Sequence, residues 1–168
     1  KGHSNGGVQF PRASASDGRA AALPAQSLPA TLPPMPVLAI DAGTTGVTAL
    51  VVGEDGGVLS RGYREFAQLF PRPGWVEHEP DDIWTATVAA CREALGRTDQ
   101  QPTCVGITDQ RETAVVWDRR TLRSPRPAIV WQDRRTTGIC DRLRADRVEP
   151  RVAERTGLRL DPYFTGTK

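Results

Sequence analysis

Arg111 and Glu112 stand side by side within Asp109-Gln110-Arg111-Glu112-Thr113, directly after the apolar run Cys104-Val105-Gly106-Ile107-Thr108. A guanidinium donates hydrogen bonds and a carboxylate accepts them, so the pair can clasp adjacent hydroxyls of one small polyhydroxy molecule. Neighbouring residues on a regular strand point to opposite faces, so the two can share a ligand only where the strand has ended and the backbone bends. The run ends at Thr108, which puts the pair just beyond the carboxyl end of a strand, where open α/β sheets bind ligands. On the pentapeptide alone, two solvated loop charges would read the same way.

A second segment with chemical capacity is Asp41-Ala42-Gly43-Thr44-Thr45-Gly46. It joins two β-rich runs with small residues, two hydroxyls and backbone N–H groups, and Gly43 permits close approach. Such a concave turn can hold phosphate oxygens. Asp41 can orient a hydrated Mg²⁺ beside them. The turn lacks the lysine and following helix of a Walker A loop. A plain Gly/Thr hairpin is the competing reading. Trp131 and Tyr163 offer flat apolar walls for the carbon side of a polyol, or ordinary packing.

These groups need a scaffold, and the patterning supplies an α/β one. Val37 to Ile40, Val47 to Val52 and Val58 to Phe66 read as an antiparallel meander, with a turn at Glu54-Asp55-Gly56-Gly57. Pro80 suits a first helical turn and Asp81 and Asp82 suit its positive end, giving a helix over about 80 to 95. Ile83, Trp84, Thr87, Val88, Cys91 and Leu95 fall on one face of it and predict its buried side. Cys104 to Thr108 is apolar enough to predict a central strand buried on both faces. Ala114 to Trp117 and Ala128 to Trp131 read as short strands around a basic loop. Asp133 is expected to cap a helix carrying Ile139, Cys140 and Leu143, and a further helix runs from about Val148 to Gly157.

The 168 residues, 38% hydrophobic and 25% charged, have the composition of a soluble globular domain. A net charge of +2 gives no global field for nucleic acid or anionic lipid, and no apolar stretch nears the ~20 residues of a membrane span. Cys91, Cys104 and Cys140 are odd in number and unpaired by spacing, which suggests a reduced, cytoplasmic protein with its thiols in packing roles. His3 and His78 are too distant in sequence to suggest a metal cage. Residues 1–34, rich in Gly, Pro, Ser and Ala, are expected to be a disordered extension, with Met35 as the natural start. The final stretch is expected to be cut rather than finished.

Five co-linear segments carry a family resemblance: Asp41-Ala42-Gly43-Thr44-Thr45, Pro73-Gly74-Trp75-Val76-Glu77-His78, Gly106 to Thr113, Trp131-Gln132-Asp133-Arg134-Arg135, and Asp161 to Lys168. Over residues 37 to 168 the chain resembles the glycerol kinase branch of the FGGY carbohydrate kinases. The Gln-Arg-Glu-Thr segment separates that branch from other members. The resemblance implies an actin-like (ribonuclease H-like) ATPase domain with a mixed sheet, here a truncated N-terminal FGGY domain over residues 35–168. It implies ATP with Mg²⁺ as cofactors, and glycerol and ATP or ADP as partners, without nucleic acid or membrane.

For the site, the resemblance implies that Arg111, Glu112, Trp131 and Tyr163 bind glycerol. Gly43, Thr44 and Thr45 would then bind nucleotide phosphates, with Asp41 near the metal through water. Ala42, Gly46 and Thr48 stand where the family commonly has Gln, Ser and Arg, the last a phosphate contact. The family's catalytic aspartate and its adenosine-binding domain fall beyond Lys168, so the resemblance implies an inactive piece of an ATP:glycerol phosphotransferase. A non-catalytic polyol-binding module and a kinase of another polyol are the alternatives. Oligomeric state is left open, a homo-oligomer being one arrangement of the full-length enzyme.

Overall fold

The computed structural model describes residues 35–168 of the chain. The expected disorder of residues 1–34 lies outside the described residues.

Three strands build the meander: β1 is Val37–Ala42, β2, rich in β-branched residues, is Gly46–Val52, and β3 is Val58–Glu65. A fourth member of the sheet, the Cys104–Thr108 strand, pairs parallel to β1, giving the spatial order β3, β2, β1, then this strand. Between β3 and that strand the chain makes a two-residue strand β4 (Glu77–His78) and a helix α1 (Pro80–Leu95). The Cys104–Thr108 strand is therefore β5. Beyond it come β6 (Ala128–Ile129), antiparallel to β4, then helices α2 (Thr137–Ala145) and α3 (Glu149–Thr156), and a 3-10 turn at Thr165–Thr167. The Pro80 start and the Gly157 end, with Gly157 left-handed at φ 72°, fall where the sequence signals put them.

The core lies between one sheet face and α1: Leu38, Val47, Ala49 and Val51 meet Ala86, Ala90 and Ala94. The expected large apolar stripe of α1 is not the buried one, since Trp84 is 68% exposed and Leu95 is exposed too. The cause is on β3. Gly62 and Ser60 bring its backbone so near the helix that only alanines, spaced at i, i+4 and i+8, fit opposite, and Ser60 Oγ donates to the Ala94 carbonyl at 2.7 Å.

Three further expectations are corrected. β5 is exposed along its length, Cys104 included, because it is the edge of the sheet, and α1 lies over β2 and β3 instead. The 114–117 segment makes one bridge, Ala114 to Ile129, and no strand, while β6 stops at Ile129. Asp133 does not cap α2, whose N-cap is Thr136. Its carboxylate is buried and accepts from Val76 N at 2.7 Å, Arg135 N at 2.8 Å, Arg135 Nε at 2.9 Å and Arg135 Nη2 at 2.8 Å. Arg135 also reaches Glu77 at 2.6 Å and lies 3.7 Å over the Trp75 ring. This cluster ties β4 to the 131–135 segment.

Candidate functional site

At the carboxyl end of β1 and β5, three loops converge on a cleft of about 200 Å³ lined by Gly43, Thr44, Asp109, Gln110, Arg111, Trp131 and Tyr163. Five of these seven, Gly43, Thr44, Arg111, Trp131 and Tyr163, are site residues expected from the sequence, and Asp109 and Gln110 belong to the same 109–113 segment as Arg111. The structure brings Gly43 and Thr44 of the hairpin turn into one concavity with Arg111, Trp131 and Tyr163.

A ring of hydrogen bonds holds the loops in register. Gln110 Nε2 donates to the Gly43 carbonyl at 2.9 Å, and Thr113 Oγ1 donates to Gln110 Oε1 at 3.1 Å. Trp131 N donates to Thr113 Oγ1 at 3.2 Å, and Trp131 Nε1 donates to Thr44 Oγ1 at 2.9 Å. The turn, the 109–113 segment and the 131 segment therefore cannot shift independently without breaking a partly buried bond. Gln110 and Thr113 were not among the candidate residues. Their sequence signal was membership of the same motif, but only the fold reveals what they bridge.

Tyr163 is placed by an Asx turn: Asp161 Oδ1 accepts from Tyr163 N at 2.8 Å and from Arg134 Nη1 at 2.8 Å. Its ring meets Trp131 edge to face, with centroids 5.8 Å apart. The two aromatics form an apolar wall, and Arg111, exposed, lines the same cleft.

Glu112 is placed differently. Its φ of 66° lies in the left-handed region, which costs a non-glycine residue about 1–2 kcal/mol. That bend follows the end of β5 and separates the two neighbours. Arg111 lines the cleft, whereas Glu112 Oε2 accepts from Thr165 N at 2.8 Å and Thr165 Oγ1 at 2.9 Å. Lys168 Nζ donates to the Glu112 carbonyl at 2.7 Å and to the Tyr163 carbonyl at 2.8 Å, holding the unusual backbone. The Thr165 hydrogen bonds, with Lys168 and Arg111 nearby, keep the Glu112 carboxyl below the usual carboxylate range. It is thus an ionised acceptor, with Oε1 not engaged by the described residues.

Asp41 lies exposed on the face of the sheet opposite α1, in a cross-strand row with Thr108, Thr48 and Tyr63. Among the described residues no group of three or more His, Cys, Asp or Glu side chains could hold a metal by itself. One exposed carboxylate beside hydroxyls suits a hydrated Mg²⁺ shared with phosphate oxygens, so the residues fit that ion in this form only. Thr45 is exposed at the tip of the turn. Gly46 is sterically required: an added Cβ would lie 2.6 Å from the Arg64 carbonyl oxygen and 2.8 Å from Tyr63 Oη. A serine there would force Tyr63 and β3 aside.

Mixed sheet, hairpin turn and loop cleft together define an α/β domain of the actin-like type. The chain belongs to the FGGY family of carbohydrate kinases, whose N-terminal domain it matches over residues 36–168. It is 55% identical over 135 residues to the glycerol kinase of Bradyrhizobium diazoefficiens, an alignment covering 79% of this chain and 27% of that protein. Among solved structures, Plasmodium falciparum glycerol kinase with ADP superposes with a TM-score of 0.76 at 28% identity, covering 80% of this chain and 28% of that one. A xylulose kinase from Rhodospirillum rubrum superposes with a TM-score of 0.65 at 26% identity, covering 70% of this chain and 25% of that one. The chain spans about a quarter of the length of the curated relatives it matches. No described helix is long and apolar enough to cross a membrane.

Proposed function

We propose that this chain is the acceptor-binding part of an ATP:glycerol phosphotransferase, which makes sn-glycerol 3-phosphate, and that residues 35–168 form a partial N-terminal FGGY domain following a 1–34 extension. The observation that carries the reading is the cleft in which Arg111, Trp131 and Tyr163 meet Gly43 and Thr44. A polyol seated there has its carbon side against the aromatics and one hydroxyl on the Arg111 guanidinium. Glu112, outside the lining of that cleft, would accept the next hydroxyl through Oε1 on turning from its Thr165 contacts toward Arg111. Thr44, Thr45 and the Gly43 backbone then face the phosphates of ATP, and Asp41 holds Mg²⁺ through water. When bound, the metal neutralises charge on the phosphates. The chain's own residues bind and orient the acceptor beside them.

Proximity of this kind is worth ~7–11 kcal/mol of a barrier when both reactants are held, and a general base adds ~10²- to 10⁴-fold. Neither the base nor an adenosine site is assigned to these residues, so the 168-residue chain by itself is expected to bind glycerol without turning it over. Production of glycerol 3-phosphate from glycerol and MgATP by the purified chain would overturn that part. We further infer a cytoplasmic setting, consistent with free thiols at Cys91, Cys104 and Cys140.

Calorimetric titration with glycerol and with xylulose tests the substrate. Glycerol is expected to bind more tightly, and Arg111→Ala to weaken it about 10- to 100-fold, the worth of a charged hydrogen bond to a hydroxyl. Tighter binding of xylulose would favour a kinase of another polyol, and equal affinity of the Arg111→Ala chain would reject the site.

A further inference from the structure

His78 is fully buried (0% exposed), yet no chemical role so far described uses it. Alternation along β4 puts it there: Glu77 points toward Arg135, and the next residue points to the opposite side, under the cleft. Its ring packs edge-on against Phe66, with centroids 5.0 Å apart, and its Nδ1 lies 3.4 Å from Gln110 Nε2. No described group partners Nε2.

The orientation of the Gln110 carboxamide decides what that contact is. Its nitrogen faces the Gly43 carbonyl, which can only accept, and its oxygen faces Thr113 Oγ1. Flipping the amide would set two oxygens against each other at Gly43. With one proton of that nitrogen on Gly43, the second is available to His78 at 3.4 Å, an arrangement that uses Nδ1 as an acceptor and places the imidazole proton on Nε2, which has no partner among the described residues. Burial acts in the same direction, pushing the imidazole below its ordinary pKa and so favouring the neutral ring.

We propose that His78 is a positioning residue: a neutral, Nε2-protonated imidazole that accepts from Gln110 and thereby fixes the carboxamide joining the Gly43 turn to the polyol cleft. Its role in catalysis rests on the preceding reading of that turn and cleft, but the contact itself does not. Without the acceptor, the Gln110 amide keeps only one directional contact on its nitrogen and can rotate away from Gly43, uncoupling the turn from Thr113 and leaving the Trp131 Nε1 to Thr44 Oγ1 bond to hold it to the 131 segment. The residue would then act on ligand binding from beneath the site, touching neither glycerol nor phosphate.

The sequence has two histidines, so nitrogen-15 labelling of histidine and glutamine in the 168-residue chain gives a tractable spectrum. One imidazole is expected to be locked with Nδ1 unprotonated and Nε2 protonated, and the Gln110 carboxamide, assigned by its loss in Gln110→Glu, should differ from exposed carboxamides. His78→Asn keeps an acceptor near Nδ1 and is expected to retain the Gln110 signal. His78→Phe keeps the ring packing but not the acceptor, and should lose that signal, shift the Gly43 to Thr45 amides, and weaken glycerol about tenfold. An Nδ1-protonated His78, or unchanged Gln110 and turn signals in His78→Phe, would overturn the proposal. If His78→Phe does not fold, the wild-type tautomer and the His78→Asn spectrum decide. Failure of the wild-type chain to bind glycerol rejects the functional reading, while the same spectra still support or overturn the His78 contact.

Discussion

Gly62→Ala is expected to destabilise the domain by about 3 kcal/mol or more, a large part of the ~5–15 kcal/mol that holds a domain folded. The added Cβ would fall well inside van der Waals contact with the Ala90 carbonyl oxygen, with the Ala90 carbonyl carbon and Ala94 N both at 3.0 Å. All three are backbone atoms of α1, so no side chain can swing aside, and the helix must lift off the sheet. Lifting it separates Ala86, Ala90 and Ala94 from Val47, Ala49 and Val51 and breaks the Ser60 to Ala94 hydrogen bond. Gly106→Ala is the control: its Cβ would meet nothing within 4 Å on exposed β5, and it is expected to be neutral or to stabilise by a few tenths of a kcal/mol through lost unfolded-state freedom. Urea midpoints at constant slope measure both. A Gly62→Ala midpoint matching wild type would mean that α1 does not sit this close to β3.

That close approach also explains which parts of the fold could be read in advance. Helix ends were legible because Pro80 and Gly157 act through their own backbone preferences, and the meander was legible because the apolar run of β1, the β-branched run of β2 and the Gly-rich turn are local signals. The buried face of α1 was not, because apolar periodicity favours large residues while the space over Gly62 and Ser60 admits only alanine. β5 looked central from its composition, but burial belongs to the layers around a strand, and α1 lies over the other edge of the sheet. Asp133 has the residue type of a helix cap, and only the fold brings Val76 within reach of its carboxylate.

The candidate site divides in the same way. Arg111, Trp131, Tyr163, Gly43 and Thr44, singled out by residue chemistry and motif order, line one cleft. The turn of Glu112 toward Thr165 was not legible, since it depends on a left-handed backbone bend and on contacts from a segment 53 residues away. Gln110, Thr113 and His78 carry no chemistry in a linear reading. They become meaningful when the ring of hydrogen bonds closes.

Asp133→Ala is expected to cost about 3–5 kcal/mol, because it removes a buried carboxylate that satisfies the Val76 amide and most of the Arg135 hydrogen bonding. The Val76 amide loses its acceptor and Arg135, 16% exposed at its side chain, keeps only Glu77. Burial alone would raise the Asp133 pKa, but the Arg135 and Val76 hydrogen bonds outweigh it and hold the carboxyl below the usual carboxylate range. The sign of the pH effect follows. A depressed folded-state pKa gives stability that is fully present above the unfolded value of ~3.9 and lost as pH falls through the folded one, so wild type should lose its advantage over Asp133→Ala below about pH 4. Chemical unfolding of both chains between neutral and acid pH measures this, and parallel curves throughout would show that the carboxylate is not the source of the difference. Because Asp133 anchors Val76 beside His78 and lies two residues from Trp131, the same substitution should also weaken glycerol binding under conditions where the variant remains folded. The ion pair would then be acting on the cleft through the two residues that position the Gly43 turn and the aromatic wall.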